Sequence, residues 1–111
     1  MLNDFAKRVE EKEYIKPILP KYEIGCTFIM NEQNYTIIIS GSGIKFTDML
    51  EHSDVYIYGD ADSIEKLLFG QIRLSDSKLN FKGTYRQFLL MDSIFYLAKK
   101  QYLLEATKEM I

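Results

Sequence analysis

A chain of 111 residues has the usual length of one folded domain, and its 47% hydrophobic residues suffice for one core. A net charge of −2 argues against a nucleic-acid binder, because such proteins present a basic surface. Cys26 is the only cysteine, which excludes an intramolecular disulfide, and no stretch approaches the roughly 20 apolar residues of a membrane span. We therefore expect a single cytoplasmic domain over residues 1–111, of bacterial origin.

The N-terminal segment predicts one amphipathic helix. Asn3 or Asp4 can cap its first turn, and the helical pattern continues to about Tyr14. Arg8 lies largely off the apolar face. Pro17 prevents further continuation, because proline lacks the N–H that a helix interior requires. The apolar face consists of Leu2, Phe5, Ala6 and Val9.

Alternating side chains next predict three strands. Residues 24–30 and 35–40 form a hairpin around a four-residue loop. Residues 41–43 form a turn, because their two glycines can reach positive φ, and a short strand follows at 44–46. Residues 47–53 predict a loop or a single helical turn. The apolar face of the first strand consists of Ile24, Cys26, Phe28 and Met30.

The middle of the chain predicts a strand, a short helix and a second strand. Residues 55–58 alternate β-branched and aromatic side chains, which favour a pleated backbone. Asp60 or Asp62 can cap the helix that follows, and Gly70 can end it in the left-handed conformation. Residues 78–82 again alternate polar and apolar side chains. Together these elements predict a sheet with helices on one face.

The last element is the longest helix. Thr84 and Gln87 form a capping box, from which the helix could run to about Glu105. One apolar stripe consists of Phe88, Met91, Phe95, Ala98 and Tyr102. A second consists of Leu90, Ile94, Leu97 and Leu104. A helix on one sheet face does not need two apolar sides, so the second stripe must meet another helix, a ligand or another chain.

Candidate catalytic groups are few. His52, with carboxylates nearby in sequence, suggests a metal site or an acid–base pair, but one histidine lacks a ligand set, and we interpret it as a solvated loop residue. Cys26 lies mid-strand on an apolar face, which favours a buried, inert thiol. Tyr56 and Tyr58 either line a pocket or lie on the less buried sheet face. We predict no catalytic residue, metal ligand or cofactor.

An ordered set of positions between residues 54 and 97 resembles the C-terminal half of the sterol carrier protein type 2 family. This set comprises Gly59-Asp60, the helix with Leu67-Leu68, Gly70 and the strand Lys78-Leu79-x-Phe81-x-Gly83, which leads into a long helix. The N-terminal half matches only in its order of elements. The resemblance implies an α+β fold, with a single, mostly antiparallel five-stranded sheet covered on one face by helices.

Members of that family bind fatty acids, acyl-CoA or sterols in an apolar tunnel between sheet and helices, without covalent chemistry. The resemblance implies that the matching tunnel walls are Ile57, Leu67, Leu68, Leu79, Phe81, Phe88, Met91 and Phe95. The same residues also fit a plain core. Asp92, at the edge of the main stripe of the last helix, either orients a lipid head group or is a boundary residue that reaches water or pairs with a lysine.

One departure from the family concerns the link between Gly70 and the next strand. Family members usually carry a short helix there, whereas residues 71–77 are shorter by about one turn, which predicts a smaller or closed cavity. Two alternatives to lipid binding stay open. One is an enzyme that uses His52. The other is a protein-interaction or homodimerisation module that buries Leu90, Ile94, Leu97 and Leu104 against its partner.

Overall fold

The computed structural model describes residues 2–31, 33–47, 53–76 and 78–98. The helices are α1 (Leu2–Glu11), α2 (Ala61–Leu68) and α3 (Tyr85–Leu97). The strands are β1 (Ile24–Met30), β2 (Gln33–Ser40), β3 (Gly43–Thr47), β4 (Val55–Tyr58) and β5 (Asn80–Lys82). Short 3₁₀ turns occur at Lys16–Ile18 and Leu74–Asp76. Within these ranges, no helix has the length and apolar character that crossing a membrane requires.

The strands form one five-stranded sheet in the order β3-β2-β1-β4-β5. β1–β2, β2–β3 and β4–β5 are antiparallel, and the central pair β1–β4 is parallel. The predicted α+β fold with a single, mostly antiparallel five-stranded sheet is therefore confirmed. The connection from β3 to β4 passes through residues 48–52, so the predicted loop there lies outside the described residues.

One face of the sheet is apolar and carries the helices. The predicted inner face of β1 is buried, and the strand register aligns Phe28 with Ile57 of β4 and Ile57 with Phe81 of β5. Phe95 of α3 contacts Phe28 from above, with ring centroids 6.1 Å apart, and Phe5 of α1 at 5.4 Å. Residues of α2 belong to the same core. The helices therefore cover one sheet face, as the sequence predicts.

The opposite face is more polar. Tyr56 and Tyr58 lie there half-buried, with ring centroids 6.3 Å apart, which confirms that they belong to the less buried sheet face. Thr27 and Thr36 are paired across β1 and β2, and their hydroxyl oxygens lie 2.8 Å apart in a hydrogen bond. The Thr27 hydroxyl also forms a hydrogen bond with the Ser53 hydroxyl, so both buried threonine hydroxyls have partners.

The first helix differs from its predicted form. α1 begins at Leu2, so Asn3 and Asp4 lie inside its first turn and do not cap it. It ends at Glu11, before the predicted Tyr14, because the chain turns there and buries the side chain of Ile15 completely. The predicted position of Arg8 off the apolar face is also wrong, since its side chain is buried beneath the ends of α2 and α3.

The hairpin between β1 and β2 is tighter than predicted. Met30 pairs with Gln33, so β2 begins two residues earlier than expected and the four-residue loop is wrong. Asn31 adopts φ 55°, a left-handed conformation that asparagine tolerates and that short hairpin turns require. The third strand is one residue longer at each end than predicted, and β5 begins at Asn80 instead of residue 78.

The caps of α2 and α3 follow the sequence closely. Asp60 is the N-cap of α2 and accepts a hydrogen bond from the Ser63 amide. Hydrogen bonding to the Ser63 side chain first, and then to its amide, lowers the pKa of this carboxyl below its usual value. Gly70 has φ 77°, and the Gln71 amide bonds the Lys66 carbonyl at 2.9 Å, as in a Schellman motif. The α3 capping box is also confirmed. α3 ends at Leu97 with Ala98 as its C-cap, so the predicted uninterrupted helix to about Glu105 is wrong; residues 99–105 lie outside the described residues.

Candidate ligand-binding site

The predicted wall residues come together in the layer between sheet and helices. Ile57 lies on the helix-covered face of β4, and Leu67 and Leu68 lie on the inner side of α2. Met91 and Phe95 cover them from α3, and all five side chains are no more than 1% exposed. In this conformation they belong to the buried hydrophobic core. Their contact with a ligand stays a prediction.

The remaining apolar residues of the set lie at the β5 edge of this layer. Phe81 and Phe88 are half-buried and pack edge to face, with ring centroids 5.1 Å apart. Leu79 packs against Gly59, where an added Cβ would lie only 2.0 Å from its Cδ2 atom. Leu79 fills the space that a side chain at position 59 would occupy. This edge is thus more open than the layer's centre.

Asp92 is buried and paired with an arginine. Its Oδ2 lies 2.6 Å from Arg73 Nη2, and its Oδ1 accepts a hydrogen bond of 2.9 Å from the Leu74 amide. The Arg73 guanidinium also lies over the Tyr96 ring, 4.3 Å from its centroid. The pairing resembles the expected boundary residue, with arginine in place of lysine. A role of Asp92 in orienting a head group stays a prediction.

These contacts anchor the short link between α2 and β5. Its 3₁₀ turn at Leu74–Asp76 takes the place that the family resemblance assigns to a longer helix. Leu74 is only 3% exposed and belongs to the hydrophobic core. The shortened link therefore adds a side chain to the core, which leaves less space for a ligand on this side.

An open depression lies elsewhere, at the N-terminal end of α1. It has a volume of about 300 Å³ and is lined by Leu2, Asn3, Tyr35 and Phe46. The register aligns Tyr35 with Phe28 and Phe46 with Ile37, so both aromatic rings lie on the helix-covered face. They are 41% and 49% exposed, beside the first turn of α1. None of the four residues was predicted as part of a site.

A second depression, of about 170 Å³, lies between the end of α1 and the β2–β3 turn. Its lining includes Glu10, Lys16 and the turn residues 41–43, together with buried Val9 and Leu19. It contains none of the predicted ligand-binding residues. Its mixed charge and small size make it a poorer apolar site than the depression beside Phe46.

The second stripe of α3 is largely used by the chain itself. Ile94 is completely buried in the core, and Leu90 and Leu97 are half-buried and pack against it. Leu104 lies outside the described residues. The described part of this stripe therefore packs against the chain's own core.

The remaining candidates offer little chemistry. Cys26 is completely buried, and burial raises the pKa of its thiol well above the usual range, which confirms a buried thiol without activation. His52 lies outside the described residues. Among those that are described, no group of three or more histidine, cysteine, aspartate or glutamate side chains could hold a metal ion.

The sheet order, the single helix-covered face and the apolar layer give an α+β fold like that of sterol carrier proteins. Two solved structures share this fold. One, described as "UbiJ-SCP2 Ubiquinone synthesis protein", has a TM-score of 0.60 and 13% identity over 88% of this chain and 89% of its own. The other is the solution structure of a conserved hypothetical protein from Thermus thermophilus, described as a suspected sterol carrier protein. It has a TM-score of 0.51 and 13% identity over 88% of this chain and 85% of its own.

No family model matches the sequence, and neither does any curated protein. The structural likeness nevertheless confirms the sterol-carrier-protein-type-2-like fold that the positions between residues 54 and 97 predicted. At 13% identity this likeness concerns the fold.

Proposed function

We propose that this chain is a non-catalytic, cytoplasmic domain that binds a lipid or another hydrophobic ligand, such as a fatty acid, an acyl chain or a sterol-like molecule. The ligand lies between the sheet and the helices. The observation that carries the proposal is the apolar depression of about 300 Å³ beside Phe46, which opens on the helix-covered face of a sterol-carrier-like fold. Its volume is at the lower end of small-molecule pockets.

A continuous set of apolar side chains leads inward from this depression. Leu2 lines it, and Phe5 follows one turn later on α1, in the same core. Phe5 contacts Phe95, which in turn contacts Phe28. Met91 lies beside Phe95 on the same helix, and its unbranched side chain can adapt to an entering chain. Each methylene buried along this route contributes about 0.8 kcal/mol.

The proposal is tested by native mass spectrometry with lipid extraction and by uptake of a fluorescent fatty acid. We expect a co-purified lipid or saturable uptake. Phe46→Lys replaces an apolar wall with a charge and should weaken uptake at least about fivefold, since burial of one large apolar side chain is at stake. Tyr22→Lys is the matched control, because Tyr22 is 62% exposed and lies outside the depression. A chain with neither lipid nor uptake would refute the proposal.

A second pair of variants tests the predicted residues at the β5 edge. Phe88 is half-buried against Phe81, whereas the next residue, Leu89, is 47% exposed. If the ligand reaches this edge, Phe88→Ala weakens uptake and Leu89→Ala leaves it unchanged. If the two variants change uptake equally, Phe81 and Phe88 do not belong to the binding site. The result at Phe46 is independent of this outcome.

The homodimer alternative gains no comparable support. Of its four residues, Ile94 is completely buried in the chain's own core and has no surface to offer a partner. Leu90 and Leu97 are partly covered by the same core. No described feature favours this function over ligand binding.

A further inference from the structure

The outward side of α3 is unusually apolar for a solvent-facing helix surface. Tyr85, Leu89 and Tyr96 are 76%, 47% and 40% exposed. At about 100° per residue they lie within roughly 40° of one another, so they form one stripe along the helix. The outward sides of the other two helices instead carry charges: Lys7, Glu10 and Glu11 on α1, and Asp62, Glu65 and Lys66 on α2.

The charges beside this stripe are positive. Arg86 is exposed next to Tyr85, and the Arg73 guanidinium stacks on Tyr96 with its side chain 41% exposed. Asp92, the acidic residue of α3, is buried beneath Arg73. By sequence, residues 71–98 carry four basic and two acidic side chains, although the whole chain has a net charge of −2. We call Tyr85, Leu89 and Tyr96, with Arg73 and Arg86, the α3 face.

We propose that the α3 face docks on the surface of an anionic lipid bilayer. Tyrosine suits the boundary between head groups and acyl chains, because its ring is apolar and its hydroxyl stays hydrated. Leu89 inserts between the two rings, and Arg86 binds lipid phosphates. Phe88 precedes Leu89 and packs with Phe81 at the more open edge of the apolar layer, so docking turns that edge towards the bilayer.

A second copy of the chain is a poorer occupant of this face. α3 has 13 residues and is therefore about 20 Å long, and three exposed side chains fall short of the roughly 800 Å² per partner of a standard interface. A two-fold pairing would also bring like-charged arginines together. Docking goes beyond the proposed function, because it requires no ligand in the apolar layer.

Vesicle co-sedimentation tests the inference. We expect the protein to bind vesicles of phosphatidylcholine mixed with phosphatidylglycerol more strongly than pure phosphatidylcholine, and to be released by high salt. Leu89→Asp lowers the partition coefficient at least about fivefold, since it replaces an inserted apolar side chain with a charge. Tyr22→Asp, at an exposed aromatic residue outside the α3 face, leaves the partition coefficient unchanged. Arg86→Gln reduces binding severalfold to the anionic vesicles alone.

Three outcomes would overturn the docking proposal. These are no binding to anionic vesicles, equal losses in Leu89→Asp and Tyr22→Asp, and a dimer in native mass spectrometry that Leu89→Asp dissociates. Fatty-acid uptake in vesicle-free buffer keeps the two proposals separate. If the wild-type protein takes up fatty acid but does not bind anionic vesicles, the docking proposal alone is refuted. If it binds the vesicles but takes up no fatty acid, the ligand-binding proposal alone is refuted.

Discussion

The guanidinium of Arg8 donates a hydrogen bond of 2.7 Å to the backbone carbonyl of Leu68, the last residue of α2. Its other terminal nitrogen donates one of 2.6 Å to the carbonyl of Ala98, the C-cap of α3. One cation thus satisfies acceptors at the C-termini of two helices, where the helix dipoles favour positive charge. The contact fixes the three helices relative to one another above the sheet.

Arg8→Met should therefore be costly although it keeps most of the side-chain volume. It leaves two carbonyls without their donor, and we expect the free energy of unfolding to fall by about 3 kcal/mol in urea denaturation. Arg8→Lys keeps the charge but loses the forked geometry of the guanidinium. Its free energy of unfolding should therefore lie between those of the wild type and Arg8→Met. The control is Lys7→Met, an exposed neighbour. Equal stability of the Arg8 and Lys7 variants would contradict this role.

Gly59→Ala should be destabilised by its contact with Leu79. The new Cβ would lie 2.0 Å from the Leu79 Cδ2 atom, and overpacking of this kind costs about 2 kcal/mol. Gly41→Ala is the control, since its Cβ would lie 3.6 Å from the Pro20 carbonyl oxygen. In the double variant Gly59→Ala/Leu79→Ala the clash is absent, so its destabilisation measured by thermal unfolding should be smaller than the sum of the single effects. Additive effects would exclude the clash as the cause.

Features that depend on near neighbours in the chain could be predicted from sequence. The capping box of Thr84 and Gln87 joins residues three apart, and the left-handed Gly70 follows from its place after a helical pattern. The buried face of β1 follows from strict alternation, because successive side chains point to opposite sides of a strand. Local geometry of this kind decides the fold class, and here it also carried the family resemblance.

Features that depend on distant partners could not be predicted. Arg8 is buried because helix ends 60 and 90 residues away meet above it, and no periodicity within α1 contains that information. The depression beside Phe46 is formed by residues of α1 and by residues of β2 and β3 that lie more than 30 residues further along the chain. Strand alternation puts Tyr35 on the same face as Ile37 and Ile39, and this was a usable signal. Leu67 and Phe95 were expected as either core or tunnel wall, since both uses require the same side chains.

Asp92→Ala should loosen the link between α2 and β5. The variant leaves Arg73 without its carboxylate and the Leu74 amide without its acceptor, and we expect a loss of about 3 kcal/mol. Arg73→Gln should cost only about 1 kcal/mol, because the Arg73 side chain is 41% exposed. Hydrogen exchange at the Leu74 amide should accelerate in Asp92→Ala and stay slow in the control Ser93→Ala. Unchanged exchange in Asp92→Ala would show that the link is held by other contacts.

Cys26 should make stability depend on pH in the alkaline range. Burial raises the pKa of its thiol in the folded state, whereas the unfolded thiol titrates near about 8.5. The contribution of the buried thiol to the free energy of unfolding is therefore fully present below about pH 8.5. Above that pH the unfolded chain releases the proton, and the contribution falls by up to about 1.4 kcal/mol per pH unit. The free energies of unfolding of the wild type and of Cys26→Ala, plotted against pH, should run parallel up to that pH and diverge only above it. Tyrosines and lysines affect both proteins alike. Curves that stay parallel, or thiol labelling without unfolding, would show that Cys26 is accessible.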